Sequence, residues 1–252
     1  MSKKEFFEHA IVLKCKIYRD NDLIVKFLTP SYGVITAFAF GGLKSRRRFS
    51  GCFEELSHVV FKWRSPLHSD YFYLEEGILI DRFSDIHKDK VRYGIAINCQ
   101  KFIEAVVIGN SYTEGVYKIF LELLKTLNKG NFIFSKNIPI FFRAKIASEL
   151  GYKPQLESCN RCRRLLNSEQ KIFFSPIKGQ CLCNKCTDKK NGYLALNNRA
   201  YQFLKEAFSS GSIDLINKKN MTINENIVVL GIQKFVETHL NITWQKGKFV
   251  HI

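Results

Sequence analysis

The stretch Ile11-Val-Leu-Lys-Cys-Lys-Ile-Tyr-Arg-Asp-Asn-Asp-Leu-Ile-Val-Lys-Phe-Leu-Thr-Pro-Ser-Tyr-Gly-Val-Ile-Thr-Ala-Phe-Ala-Phe40 decides how the chain begins to fold. Ile11, Leu13, Cys15 and Ile17 alternate with Val12, Lys14 and Lys16, the period-two signal of a strand. Arg19-Asp-Asn-Asp22 is a turn cluster, because Asn and Asp side chains bond their own backbone and favour reversal. Leu23–Leu28 is a second short strand, closed by Thr29-Pro-Ser31. Gly33 opens a third run, Val34–Phe40, and Gly41-Gly42 breaks it. Two more strand-like runs cover residues 53–63 and 70–80, with Ser65-Pro66 between them. Five strands with turn signals in so short a span predict a small closed or nearly closed barrel.

The hydrophobic period then changes. Ile95, Cys99, Phe102, Ile103 and Val106 form one helical stripe, and Val116, Ile119, Phe120, Leu123, Leu124 and Leu127 form another. Ile138, Phe142, Ile146 and Leu150 make a third, stopped by Gly151 and kept from resuming by Pro154. Asn197 is placed to cap a helix carrying Ala200, Phe203, Leu204, Ala207 and Phe208, and a last helix is expected over roughly 223–240. Periodicity makes these stripes core, or a groove for a partner's apolar tail, and does not separate the two. The class expected is α+β: a strand domain at residues 1–82 followed by a helical domain at 83–252.

The chain has 252 residues, 46% hydrophobic and 25% charged, which excludes a disordered or fibrous protein. It has no apolar run long enough to span a bilayer and no evident secretory signal, so a cytoplasmic location and no membrane partner are expected. The net charge is +16. Residues 1–82 carry 13 Lys/Arg against 10 Asp/Glu, and residues 83–252 carry 26 against 13. Such an excess favours a polyanionic partner: DNA, RNA or an anionic surface.

Eight cysteines include two C-x2-C pairs, Cys159-Asn-Arg-Cys162 and Cys183-Asn-Lys-Cys186, separated by twenty residues. This is the spacing of a structural zinc site. Two residues between cysteines form a knuckle that presents both sulfurs to one metal, and two knuckles complete a closed tetrahedral shell with no position left for an activated water. Redox pairs are the alternative. Cys181 rivals Cys183, but Cys181 to Cys186 is the wrong interval. The module, about 153–190, holds nine Lys/Arg and three Asp/Glu, so it stays basic even with four thiolates around a dication. Cys15, Cys52 and Cys99 sit singly among apolar neighbours and read as small buried hydrophobes.

Gly41-Gly-Leu-Lys-Ser-Arg-Arg-Arg-Phe-Ser50 puts Lys44, Arg46, Arg47 and Arg48 within five residues, in a loop between barrel strands. Arginines there suit bidentate phosphate contacts and stacking; a solvated charged loop is the other reading. Tyr18, Tyr32, Trp63, Tyr71 and Tyr73 are candidates to stack bases, or ordinary barrel residues. Lys44-Ser45 is not a phosphate loop, because Leu43 and Phe38 stand where that motif needs glycines. There is no H-E-x-x-H or G-x-S-x-G, the six histidines show no ligand spacing, and no catalytic constellation emerges.

Taken together, Asp22-Leu-Ile, Thr29-Pro-Ser-Tyr-Gly33, Gly41-Gly-Leu-Lys-Ser-Arg46, Ser50-Gly-Cys-Phe-Glu-Glu-Leu56, Tyr73-Leu-Glu-Glu-Gly-Ile78 and Leu150-Gly-Tyr-Lys-Pro154 with Leu156 and Cys159-x-x-Cys162 resemble the bacterial RecO family of DNA repair proteins, over essentially residues 5–240. The resemblance implies an N-terminal five-stranded OB-fold barrel and a helical domain with an inserted four-cysteine zinc module. It implies a recombination mediator that binds single- and double-stranded DNA and anneals complementary strands without ATP. Such a mediator acts with RecR, and often RecF, to load RecA onto DNA coated by the single-stranded DNA-binding protein (SSB), whose acidic C-terminal tail it contacts. The family's basic barrel residues carry over to Lys44, Arg46, Arg47 and Arg48, and its zinc ligands to Cys159, Cys162, Cys183 and Cys186. No catalytic residue is implied, and a nucleoid-associated, cytoplasmic protein is expected. Two other functions compete. A zinc-ribbon enzyme on nucleic acid would need carboxylates such as Asp20, Asp22, Glu54 or Glu55 gathered at the barrel mouth. A zinc-dependent interaction scaffold would show no salt-sensitive DNA binding.

Overall fold

The computed structural model describes residues 4–65, 72–107, 113–129, 137–167, 171–187, 192–209 and 223–252. Five strands form the first part of the chain: β1 (Lys4–Ile17), β2 (Leu23–Thr29), β3 (Gly33–Ala39), β4 (His58–Ser65) and β5 (Phe72–Asp81). They close into a barrel in the order β1-β2-β3-β5-β4, with β4 paired back onto β1. Every adjacent pair is antiparallel except β3 and β5, which run parallel at Ala37↔Phe72 and Phe38↔Tyr73. The barrel is filled by Ala10, Val12, Val25, Phe27, Ile35, Ala37, Phe61 and Trp63, all buried.

The first strand does not keep one phase. A β-bulge at Leu13 shifts the register from Val12↔Phe27 to Lys14↔Lys26. Before the bulge Ala10 and Val12 point into the barrel, and after it Cys15 does. Ile11 and Leu13 are buried on the opposite side, so the apolar series Ile11, Leu13, Cys15, Ile17 is divided between two environments. The run expected at 53–63 also starts later. Residues 53–57 stay in the turn-rich connection, where Leu56 takes a φ of 72°, and pairing begins at His58.

Three helices follow: α1 (Ser84–Lys88), α2 (Lys90–Val106) and α3 (Glu114–Leu127). Asp89 caps α2, its carboxylate accepting from the backbone N–H groups of Val91 and Arg92. The second helix covers the outside of the barrel where β1 is bulged. Gln100 donates to the Leu13 carbonyl (2.6 Å) and to Glu55 (2.9 Å), and Glu104 pairs with Lys26 (3.2 Å). Thr113 leaves α3 uncapped and instead donates its hydroxyl to the Thr29 carbonyl. The strand-to-helix change falls at Phe83, whereas the compact unit runs on to Asn131, because these helices use the barrel wall to bury their apolar stripes.

The second compact unit, 132–252, holds α4 (Ile138–Glu149), β6 (Ile172–Ser175), β7 (Gln180–Cys183), β8 (Leu194–Leu196), α5 (Asn198–Phe208), α6 (Ile223–His239), β9 (Ile242–Gln245) and β10 (Lys248–His251). Gly151, at φ 90°, ends α4: its N–H reaches Ser148 O and that of Tyr152 reaches Ala147 O. Asn197 caps α5 through Ala200 N, as its sequence position predicts. The buried ammonium of Lys145 and the hydroxyl of Ser148, about one turn apart on α4, donate to carbonyls at the end of α5: Lys145 to Glu206 and Ser209, Ser148 to Phe208. Strands β6–β8 and the hairpin β9–β10 are not among the elements expected of a helical second half with an inserted zinc module. Each is only three or four residues long, too short for alternation to register.

Two outcomes follow from the packing of the first unit. A Cβ added at Gly77 would lie 2.8 Å from Phe61 Cε1 and 3.1 Å from Cys52 Sγ. Gly77→Ala should therefore lower unfolding free energy by about 1–3 kcal/mol in denaturant titration. His58, 7% exposed, has its Nε2 3.0 Å from His9 Nδ1. Burial, then the His9 and Lys125 charges, push its pKa down to about 4, against an opposing pull from Asp81. The unfolded chain binds that proton first, so stability should fall as pH drops from about 6.5 towards about 4. The loss should be smaller in His58→Gln, as read by thermal melting across that range.

Candidate metal centre and nucleic-acid interface

The four cysteines of the two C-x2-C pairs come together. Their sulfurs all lie within 4.8 Å of one another, and Cys162 Sγ is 3.8 Å from Cys183 Sγ. A tetrahedral thiolate shell with metal–sulfur bonds of about 2.3 Å sets its sulfurs about 3.8 Å apart, so the donor set fits a metal of that kind. The first knuckle is a tight turn. Arg163, at φ 61°, sends its N–H to Cys159 O, and Cys159 N returns to Arg164 O. Cys183 ends β7 and a 3-10 turn, Asn184–Cys186, supplies the second knuckle. Asn160 N donates to Cys181 O and so fixes one knuckle against the strand that leads into the other.

The electrostatics of the cluster favour thiolate at one position. Burial pushes the Cys159 thiol up, but the backbone N–H groups of Cys162, Cys183 and Arg161 outweigh it and bring the pKa down to about 6. Cys181 lies outside the cluster. It is fully buried one strand period before Cys183, and burial pushes its thiol up to about 12. It is a packing residue, like Cys52 and Cys99, both fully buried; Cys15 is only half-buried but packs on the barrel core.

The basic loop 41–50 connects β3 towards β4 and has a defined internal structure. Gly41, at φ 61°, donates its N–H to Asp22 Oδ1 (2.8 Å). Arg48 turns inward: Nη2 donates to the Phe40 carbonyl (2.6 Å), Nε to Ser45 Oγ (3.3 Å), and its guanidinium lies over Phe49, itself buried. Lys44, Arg46 and Arg47 are outward-facing, Lys44, Arg46 and Arg47 lying on the solvent side of the loop. The loop therefore presents three outward cations and uses the fourth to hold its own shape. A polyanion would meet them without first ordering the chain.

Three of the four acidic residues an enzyme would need have other work. Asp22 shapes the loop, and Asp22 N closes its own turn on Arg19 O. Glu54 pairs with Arg82 (3.0 Å), and Glu55 accepts from Tyr93 and Gln100. Among the described residues the four-cysteine group is the only cluster with metal-ligand chemistry.

Of the aromatic candidates, Trp63 is fully buried and stacks on Phe6 inside the barrel, with Tyr32 edge-on to both. Tyr71 lies outside the described residues. Tyr18 and Tyr73 are on the outer surface, in company that sequence reading missed. Phe38 lies 5.2 Å from Tyr18 and 6.2 Å from Tyr73, and Phe40 lies 5.4 Å from Tyr73. Phe38 on β3 and Phe40, one residue past its end, continue the outward phase, while Ile35, Ala37 and Ala39 face in. Alternation could have found them, but apart from Thr36 both faces of this strand are apolar, which obscures its phase.

Comparison with known proteins agrees with these features. The family model "Recombination protein O N terminal" matches residues 1–83, and "Recombination protein O C terminal" matches residues 87–244. The chain is 34% identical to the DNA repair protein RecO of Lawsonia intracellularis, covering 98% of this chain and all of the relative. It is 33% identical to the protein of that name from Maridesulfovibrio salexigens, over 96% of this chain and 97% of the relative, and 32% identical to that from Oleidesulfovibrio alaskensis, over 98% and 100%. With both family models matched in order, and relatives aligned from end to end, this chain belongs to the RecO family of DNA repair proteins.

Proposed function

We propose that this protein is a recombination mediator. It binds single- and double-stranded DNA, anneals complementary strands without ATP, and acts with RecR, and with RecF in cells that use it, to load RecA onto SSB-coated DNA. The observation that carries this reading is the preorganised loop 41–50 on a barrel of the RecO family, with Lys44, Arg46 and Arg47 turned outward. Residues 1–82 act as an OB-fold DNA-binding domain, a reading supported by the closed 1-2-3-5-4 strand order. Residues 83–252 act as the helical domain, and its larger share of the +16 charge suits further phosphate contacts and the acidic tail of SSB. The protein works in the cytoplasm, at the nucleoid.

Annealing needs no covalent step. Cations on the protein neutralise phosphates on two strands, which lowers their mutual repulsion, and base pairing then drives the reaction. The outward cations and Arg48 contribute differently: the first three contact phosphate, and Arg48 keeps the loop in place. In the second unit Zn²⁺ is the metal that suits an all-thiolate tetrahedral shell, held by Cys159, Cys162, Cys183 and Cys186. Its contribution is structural, joining the two knuckles and β7 where the strands are only three or four residues long.

Two experiments test these readings. Complementary oligonucleotides pre-coated with SSB should anneal rapidly without ATP in the presence of the wild type. Replacing Lys44, Arg46 and Arg47 together by Ala, with Arg48 kept to hold the loop, should slow this and lower the salt slope of oligonucleotide binding by about 1 for each phosphate no longer neutralised. An unchanged slope would remove the loop from the DNA site, and no annealing by the folded wild type would remove the mediator function. For the metal, Cys159→Ser should lose bound zinc and lower the melting temperature. A variant with unchanged zinc content and melting would sink the zinc assignment.

A further inference from the structure

The register of the barrel places one outer-surface residue from each strand in a single transverse row. Lys16 on β1 is opposite Ile24 on β2, Ile24 is opposite Phe38 on β3, Phe38 is opposite Tyr73 on β5, and Tyr73 is opposite Arg64 on β4. Partners directly opposed across a ladder share a face, so the row is apolar and aromatic in the middle with a cation at each end. Phe40 and Tyr18 widen it. Phe40 is 49% exposed and lies nearly parallel to Phe38, at 9° and 6.1 Å; Tyr18 is 46% exposed and stands edge-on to Phe38. The Arg19 guanidinium lies over the Tyr18 ring at 5.2 Å and that of Arg64 over Tyr73 at 5.8 Å, the latter tethered by Glu75 (3.1 Å).

Large exposed rings gathered in one place are unusual on a soluble surface, where apolar residues are normally scattered. The next outward row carries no rings: it holds Lys14, Lys26 and Thr36, and Lys26 pairs with Glu104 of α2 (3.2 Å). The row at Phe38 adjoins the basic loop directly, since Arg48 donates to the carbonyl of Phe40. Aromatic faces rimmed by cations match one ligand chemistry closely: unpaired nucleobases on a phosphate backbone. A duplex offers the phosphates but keeps its base faces stacked on one another.

We infer that Tyr18, Phe38, Phe40 and Tyr73 form a stacking platform for the unpaired bases of single-stranded DNA, and that this platform, rather than the basic loop, distinguishes single strands from duplex. The inference rests on the DNA-binding function proposed above and assigns the strand preference of that site. It also gives annealing a direction. Pairing withdraws base faces from the platform, so the duplex product keeps only the phosphate contacts and leaves more readily than either strand.

The test uses the full chain and fluorescence anisotropy with three labelled ligands of about 16 nucleotides, the upper end of the span one such barrel covers: oligothymidylate, an abasic strand with the same phosphates, and a duplex. The wild type should bind oligothymidylate about tenfold or more tighter than the abasic strand. The double variant Tyr18→Ala, Phe40→Ala should lose that advantage, with its abasic and duplex affinities and its salt slope unchanged, which also shows that it is folded. Phe40→Leu, which keeps apolar volume without a ring face, should lose part of the advantage, and Phe40→Trp should retain it. Equal wild-type affinity for oligothymidylate and the abasic strand overturns the platform while leaving phosphate-mediated DNA binding intact. A double variant weakened equally on all three ligands overturns it too. Failure of the wild type to bind any of the three overturns the DNA-binding function as well.

Discussion

The pairing of β1 with two neighbours at once is the constraint on which the first unit depends. Its first half is laddered to β4 and its second half to β2, so one strand closes the barrel. A single strand can do this only if it bends, and the bulge at Leu13 is where it bends. The bulge also presents the Leu13 carbonyl to α2, where Gln100 donates to it, so the residue that bends the strand is also a docking point for the helix. Closure brings β3 beside β5. That parallel contact is only two residue pairs long, yet it puts Phe38 next to Tyr73 and so creates the aromatic row.

The second unit solves a different problem. Its knuckle segment has three strands of three or four residues each, which bury too little to hold themselves together. Hydrogen bonds from Gln155 to Gly179 and from Tyr201 to the Leu156 carbonyl tie the segment to its surroundings, and α6 packs so close to β8 that a Cβ at Gly231 would meet Leu194 at 2.8 Å. Four sulfurs in the same segment lie at coordinating distance. A metal bound there would link Cys162 to Cys183, 21 residues further along the chain, through bonds stronger than such small strands provide.

The two proposed kinds of DNA contact divide the work. Phosphate contacts at the loop are long-ranged, salt-sensitive and indifferent to strandedness. Ring contacts are short-ranged and available only to bases outside a duplex. A protein carrying both on one barrel captures strands by charge and tells their state by stacking. Arg48 joins the two, since the same guanidinium that shapes the loop is bonded to the backbone of Phe40.

The sequence by itself determined the five barrel strands, the main helices and the cysteine set. Period-two runs, turn clusters and the Asn197 cap are local signals, and the C-x2-C spacing is chemistry written in four letters, so these were legible from the residues alone, whereas the three- and four-residue strands β6–β10 were too short to register. It did not determine which way an apolar strand faces. Phe38 and Phe40 were invisible as surface residues because the run Val34–Phe40 is apolar on both sides apart from Thr36, and only barrel closure says which side is filled. Nor could it assign Arg48 apart from Arg46 and Arg47, since four neighbouring cations look alike until one finds a carbonyl. Cys181 and Cys183 were rivals by position. The turn after β7 decided between them, because a sulfur one strand period back is too far from the other knuckle. Local patterns follow from bonding along the chain, whereas facing, pairing and exposure depend on residues distant in sequence, which only the folded chain brings together.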